Sequence, residues 1–247
     1  MSLQPDPATI TADQALYMAK LAEAAERYEE MTKYMLKSVS EKSGDDLTVE
    51  QRNLISVGYK NLMSARRTAW RVTHQQVEAE PEENKAWGEG YKTKIADELQ
   101  SLITEVSNDV VAKFVKGPEA ATDPEVLVFF HKMEGDYNRY GAEISSGDTK
   151  AAYGEKAEKA YQQALELAGP LETTNPIRLG LVLNFSVFYY EILDEKEKAT
   201  NLAQQAFDDA IDQLDQLNEE QYRDSTLIMQ LLKDNLSLWS EQREDEE

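Results

Sequence analysis

The chain contains no cysteine and only two histidines in 247 residues. Without thiols it can form no disulfide, no thiolate metal site and no thiol nucleophile, and nothing in it calls for an oxidising compartment. The histidines, His74 and His131, stand at neither a Glu-x-x-His nor a His-x-x-x-His spacing, so no helix face gathers imidazoles around a metal. The glycines form neither a dinucleotide fingerprint nor a phosphate loop. No metal, no cofactor and no enzymatic activity are expected. Cations are scarce too: 26 Lys and Arg face 47 Asp and Glu, a net charge of −21. That field repels nucleic acid and anionic membrane, so neither is expected as a partner. No apolar run reaches the length of a membrane span, and Met1 to Ile10 lacks the basic and apolar regions of a signal peptide, so the expected setting is cytoplasmic.

What is present is helical. Hydrophobic residues make up 41% of the chain, enough for a substantial core. Thr11 with Gln14, and Thr48 with Gln51, have the spacing of capping boxes. Asp123-Pro124 and Asn175-Pro176 each set an N-cap residue before a proline at the first helical position, where its missing N–H costs nothing. Gly44, Glu80-Pro81, Gly117-Pro118, Gly147 and Gly169-Pro170 mark stops. Met18, Leu21, Ala25, Tyr28, Thr32 and Met35 follow the spacing of one amphipathic helix, as do Leu179, Val182, Phe185 and Tyr189. The fold class is all-α, with short connections between antiparallel neighbours. Residues 241–247 have the composition of an acidic, disordered tail.

One basic segment stands out against the acidity. From Arg52 to Arg71 the chain carries Arg52, Lys60, Arg66, Arg67 and Arg71 and no carboxylate. Lys60 and Arg67, seven apart, differ by only about 20° around a helix and share one face. Arg139 and Tyr140 form a second donor pair, with Asp136 and Glu143 at helical spacing to hold the guanidinium. Such cations either pair with carboxylates of neighbouring helices or hold an anionic ligand, and spacing alone leaves both open. Leu227, Leu231 and Leu238, with Ile228 beside them and Asn235 interrupting, make an apolar helix face that is core or groove.

Four segments together resemble the 14-3-3 family: RNLISVGYKNL at 52–62, GDYNRY at 135–140, NPIRLGLVLNFSVFYYEIL at 175–193 and YRDSTLIMQLLKDNLSLWS at 222–240. They fall in that family's order and spacing, and the likeness runs from KLAEAAERYEEM at 20–31 to Trp239. The resemblance implies one helical domain over 1–240, a bundle of about nine antiparallel helices with an amphipathic ligand groove, forming a homodimer. It implies an adaptor that binds phosphoserine or phosphothreonine segments of other proteins. By matching motif positions, Lys60, Arg67, Arg139 and Tyr140 would bind the phosphate. Asn184 and Asn235 would hold the peptide backbone, with Leu183, Val187, Glu191, Leu227, Ile228, Leu231 and Trp239 lining the groove. Leu21, Ala25, Arg27 and Glu30 would meet Tyr91, Lys94 and Glu98 across the dimer.

The chain departs from the family's pattern at several positions. Asn138 and Gly141 stand where a tyrosine and a leucine are usual, and Gly141 should loosen its helix by about 0.8–1 kcal/mol relative to alanine. Thr73 and Gln76 occupy dimer positions that are usually apolar. The competing expectation is a phosphate-independent helical scaffold that binds partners through apolar contacts.

Overall fold

The computed structural model describes residues 6–246, and the side chains of 6–242. Among these residues there are nine α-helices and no strand, in two compact units that divide between Ala121 and Thr122. The first unit holds α1 (Ala12–Ala24), α2 (Tyr28–Ser38), α3 (Val49–Ala79) and α4 (Glu82–Glu105), which passes at Val106 into π-helical turns as far as Lys116. The second holds α5 (Pro124–Glu143), α6 (Gly147–Leu167), α7 (Pro176–Glu191), α8 (Lys196–Ile211) and α9 (Glu219–Glu246). No helix among the described residues is long and apolar enough to cross a membrane.

The caps lie where the sequence places them. Thr11 and Thr48 each accept from the backbone of the glutamine three residues on, whose side chain accepts in return from the threonine N–H. Asp123 caps α5 through the Glu125 N–H, and Asn175 caps α7 through the N–H groups of Ile177 and Arg178. Each satisfies donors that a helix start leaves unpaired.

Three details differ from expectation. The run from Met18 to Met35 is two helices, because Glu26 takes a left-handed φ of 55° and turns the chain between α1 and α2. Within α1 the buried face is Ala15, Ala19 and Ala22, while Tyr17 and Leu21 are 65% and 51% exposed. Gly147 opens α6 with a φ of 54° and does not close α5, a conformation that costs glycine little. Finally, α9 continues through 241–246, the stretch expected to be a disordered tail. These residues include good helix formers, and the Tyr190 hydroxyl donates to Gln242 Oε1 at 2.7 Å. Glu247 lies outside the described residues.

The second unit packs α5 closely on α6. A Cβ added at Gly135 would lie 2.6 Å from Tyr161 ring carbons, and one added at Gly141 would lie 2.7 Å from the Tyr153 ring. The glycines are clearances for aromatic rings, so Gly141 is a packing position as well as one of low helix propensity. Below them Tyr161, Phe185 and Phe188 form a buried core with Val128, Ala157, Ala164 and Leu181. Beside it α7, α8 and α9 enclose Leu179, Val182, Ala199, Ala203, Met229 and Leu232.

Gly141→Ala should therefore destabilise by about 1–3 kcal/mol through overpacking, against the gain in helix propensity. In a Tyr153→Ala background the sign should reverse, because only propensity remains. Urea unfolding of the four proteins checks both, and a stabilising Gly141→Ala in the native background would sink the packing argument.

Candidate functional site

The polar turn of α5 places Lys132, Asp136 and Arg139 on one helix face, at i, i+4 and i+7. Asp136 is buried among them. Its Oδ2 accepts from Lys132 Nζ at 2.8 Å, and its Oδ1 accepts from the Tyr161 hydroxyl at 2.6 Å and from Asn184 Nδ2 at 2.7 Å. Arg139 Nη2 lies 3.7 Å from the same Oδ1, and Arg139 Nε donates to the Tyr161 oxygen at 3.2 Å. The guanidinium carbon stands 4.6 Å from the Tyr140 ring centroid, and Tyr140 meets Tyr137 edge-on at 5.7 Å. Arg139 is held on one side by hydrogen bonds and on another by an aromatic face.

The charges explain how a carboxylate survives here. Burial raises the Asp136 carboxyl, but Lys132 and Arg139, with the hydrogen bonds from Lys132 and Tyr161, outweigh it and hold the group below the ordinary carboxylate value. Burial, and then the Asp136 charge, push the Tyr161 phenol well above its ordinary value, so the hydroxyl keeps its proton. The cluster carries two cations and one anion, a net positive spot in a strongly acidic chain.

Asn184, expected to hold a ligand backbone, is oriented by the same carboxylate. A carboxylate only accepts, so the amide nitrogen must face Asp136 and Asn184 Oδ1 must face away from it. Leu183 and Val187 are half-buried beside it on α7, and Ile228 on α9 packs with them against one core. Leu227, Leu231 and Leu238 lie exposed along α9 and Asn235 is half-buried, so this face is apolar, open and interrupted by one amide. Trp239, also expected in the lining, is 6% exposed and stacks on Tyr190 at 4.6 Å. Glu191 is exposed at the end of α7.

In the first unit, α3 carries Lys60, exposed, and Arg67, half-buried, on the shared face that their spacing demands. Its neighbour Arg66 is a structural cation, 2.9 Å from Glu29 and 3.6 Å from Glu98. Leu21, Ala25 and Arg27 are exposed, and Glu30 pairs with Arg27 within its own segment. Tyr91, Lys94 and Glu98 are exposed along α4.

Two members of the α5 cluster were not singled out by sequence: Lys132 and Tyr161. The cation, anion, cation order at 132, 136 and 139 carried the signal for the first. Tyr161 sits in an alanine-rich apolar stripe, Ala157, Ala160, Ala164 and Ala168, where an aromatic ring reads as core and its hydroxyl draws no notice.

Comparison with known proteins agrees with the motifs. The model of a family described as 14-3-3 protein matches residues 18–240. The chain is 51% identical over 232 residues to 14-3-3 protein beta/alpha of Gallus gallus, covering 93% of each. It is 48% identical over 242 residues to the Homo sapiens protein of that name, covering 97% of this chain and 96% of the relative. It is 49% identical over 239 residues to 14-3-3-like protein GF14-F of Oryza sativa, covering 95% and 91%.

Because the folded carboxyl of Asp136 is depressed, its ionised form stabilises the fold at neutral pH, and that contribution is lost as the pH falls from the ordinary carboxylate value through the folded one. Asp136→Asn should destabilise by about 3 kcal/mol at pH 7, the order found when one partner of a buried pair is removed. The gap should narrow steadily as the pH is lowered from 5 toward 2. Denaturant unfolding across that range measures it, and a gap independent of pH would contradict the charge argument.

Proposed function

The chain belongs to the 14-3-3 family, whose members are adaptors for partner proteins, and we propose that its partners are proteins phosphorylated on serine or threonine. Lys60, Arg67, Arg139 and Tyr140 hold the phosphate, and Asn184 and Asn235 hold the peptide backbone. The observation that carries this reading is the state of Arg139. It is only 8% exposed, its Nε is committed to Tyr161, and its nearest carboxylate oxygen stands at 3.7 Å, beyond hydrogen-bond reach of Nη2. A guanidinium so fixed keeps its terminal donors for an acceptor of matching geometry.

A phosphoserine supplies such an acceptor, with close to two charges and three oxygens. Two guanidiniums can grip it in bidentate fashion, a lysine adds a point charge and a tyrosine a hydroxyl. Contacts of asparagine amides to the ligand backbone ask for an extended chain and not for particular side chains, so the range of clients is broad. The exposed leucines of α9 favour apolar side chains alongside. Those same leucines are the one feature that favours a phosphate-independent scaffold.

The first unit supports self-association. An α1 that buries alanines while exposing Tyr17 and Leu21, with Tyr91 and Trp87 exposed on α4, presents large apolar groups that a second copy would cover. The cytoplasm is the setting proposed for this dimer.

A fluorescence polarisation titration should show a phosphoserine peptide binding and its unphosphorylated copy binding at least a hundredfold more weakly. Equal affinities would leave the scaffold as the answer. Arg67→Ala and Arg139→Ala should each weaken binding by one to two decades, about 1.5–3 kcal/mol per charge-assisted bond, with helicity unchanged in circular dichroism. Sedimentation should give a dimer that Leu21→Glu with Tyr91→Glu converts to a monomer. A native monomer at micromolar concentration would remove the dimer from the proposal.

A further inference from the structure

One hydroxyl joins α6 to the charged face of α5. The Tyr161 oxygen stands 2.6 Å from Asp136 Oδ1 and 3.2 Å from Arg139 Nε. An ionised carboxylate can only accept, so the phenolic proton lies toward Asp136 and a lone pair is left for the Arg139 Nε–H. Asp136 thereby sets the direction of the bond that Arg139 makes. Swapping the roles is impossible, since guanidinium has no acceptor.

The ring that bears this hydroxyl cannot shift. It is fully buried, stacks on Phe185 at 5.1 Å and 21°, and lies against Phe188 at 5.6 Å. On its other side the missing side chain of Gly135 lets it approach α5, where any Cβ would be 2.6 Å away. The hydroxyl is thus a fixed point, located by packing and polarised by a carboxylate. Binding Nε to a fixed point fixes the plane of the guanidinium, because the group is flat and its donors form a rigid fork.

We infer that Tyr161 is a positioning residue for phosphate binding, acting through Arg139 Nε to aim the terminal guanidinium donors. The inference rests on the phosphopeptide reading above and adds a residue to it. Tyr161 itself, buried beneath Arg139, touches no ligand. Without its hydroxyl the guanidinium keeps its charge but loses its orientation, so a bidentate grip must be organised at the moment of binding. A phosphate should feel that loss and overall stability should feel it less.

The test is a double-mutant cycle read by polarisation with a phosphoserine peptide, using the full chain as native, Tyr161→Phe, Arg139→Lys and both together. Tyr161→Phe keeps the ring and should bind about tenfold more weakly. In the Arg139→Lys background, which has no Nε, the same change should alter affinity by less than about twofold. Equal losses in the two backgrounds would mean that the hydroxyl matters only to the fold, and undiminished affinity in Tyr161→Phe would overturn the inference outright. If Tyr161→Phe fails to fold, the native protein still decides. Its Arg139 Nε–H resonance, assigned by its absence in Arg139→Lys, should exchange slowly with water, and fast exchange would refute the bond. A native protein that does not distinguish the phosphopeptide from its unphosphorylated copy would instead overturn the functional reading, and this inference with it.

Discussion

A buried carboxylate must be compensated where it stands, and the demands of Asp136 organise the second unit. Leaving it unpaired would cost several kcal/mol, and both of its oxygens recruit donors. Lys132 comes from its own helix, Tyr161 from α6 and Asn184 from α7. Three helices are tied to one carboxylate. The aromatic core beneath follows, since Tyr161 can reach Asp136 only if its ring lies flat on Phe185 and if Gly135 yields the space. Packing and polar chemistry are two descriptions of the same arrangement, and a change to either disturbs both.

Small residues perform the complementary task elsewhere. Ala15, Ala19 and Ala22 let α1 lie close against its neighbour, and Ala157, Ala160 and Ala164 do the same on α6. The large side chains that a globular protein would ordinarily bury are left outside: Tyr17 and Leu21 on α1, Tyr91 and Trp87 on α4, Leu227 and Leu231 on α9. Such an inversion suits surfaces covered by something else, which in the function proposed above is a second copy in one place and a ligand chain in the other.

Helix identity and helix starts were legible because they are local. A capping box or an Asn-Pro pair satisfies nearby N–H groups through a few neighbouring residues, and Thr11, Thr48, Asp123 and Asn175 all do so. The break at Glu26 was not legible, because apolar spacing continues across it and only a left-handed φ at an ordinary residue divides α1 from α2. Gly141 was half legible for a related reason: propensity describes an isolated helix, whereas the space this glycine leaves is used by the Tyr153 ring on the next one. Of the candidate site, the residues that could bear charge toward a ligand stood out by type and motif. Tyr161 did not, since whether a core tyrosine uses its hydroxyl depends on what lies 25 residues away in sequence.

The acidity of the chain sharpens why such an arrangement is needed. In a molecule with a net charge of −21, a cation left on the surface finds a carboxylate of its own, as Arg66 does with Glu29 and Glu98, and Lys20 with Glu50. A cation that is to hold a phosphate, as proposed for Arg139, has to be protected from that fate. Asp136 supplies the protection: it lies close enough to compensate Arg139 electrostatically, yet at 3.7 Å leaves Nη2 without a tight bond, while Tyr161 takes the Nε that a competing side chain would otherwise engage. The internal anion lowers the net positive charge of the spot and so weakens its pull at long range. What it secures is direction, and for the phosphate of the proposed ligand, with three acceptor oxygens at fixed angles, aligned donors hold more tightly than an equal charge free to turn.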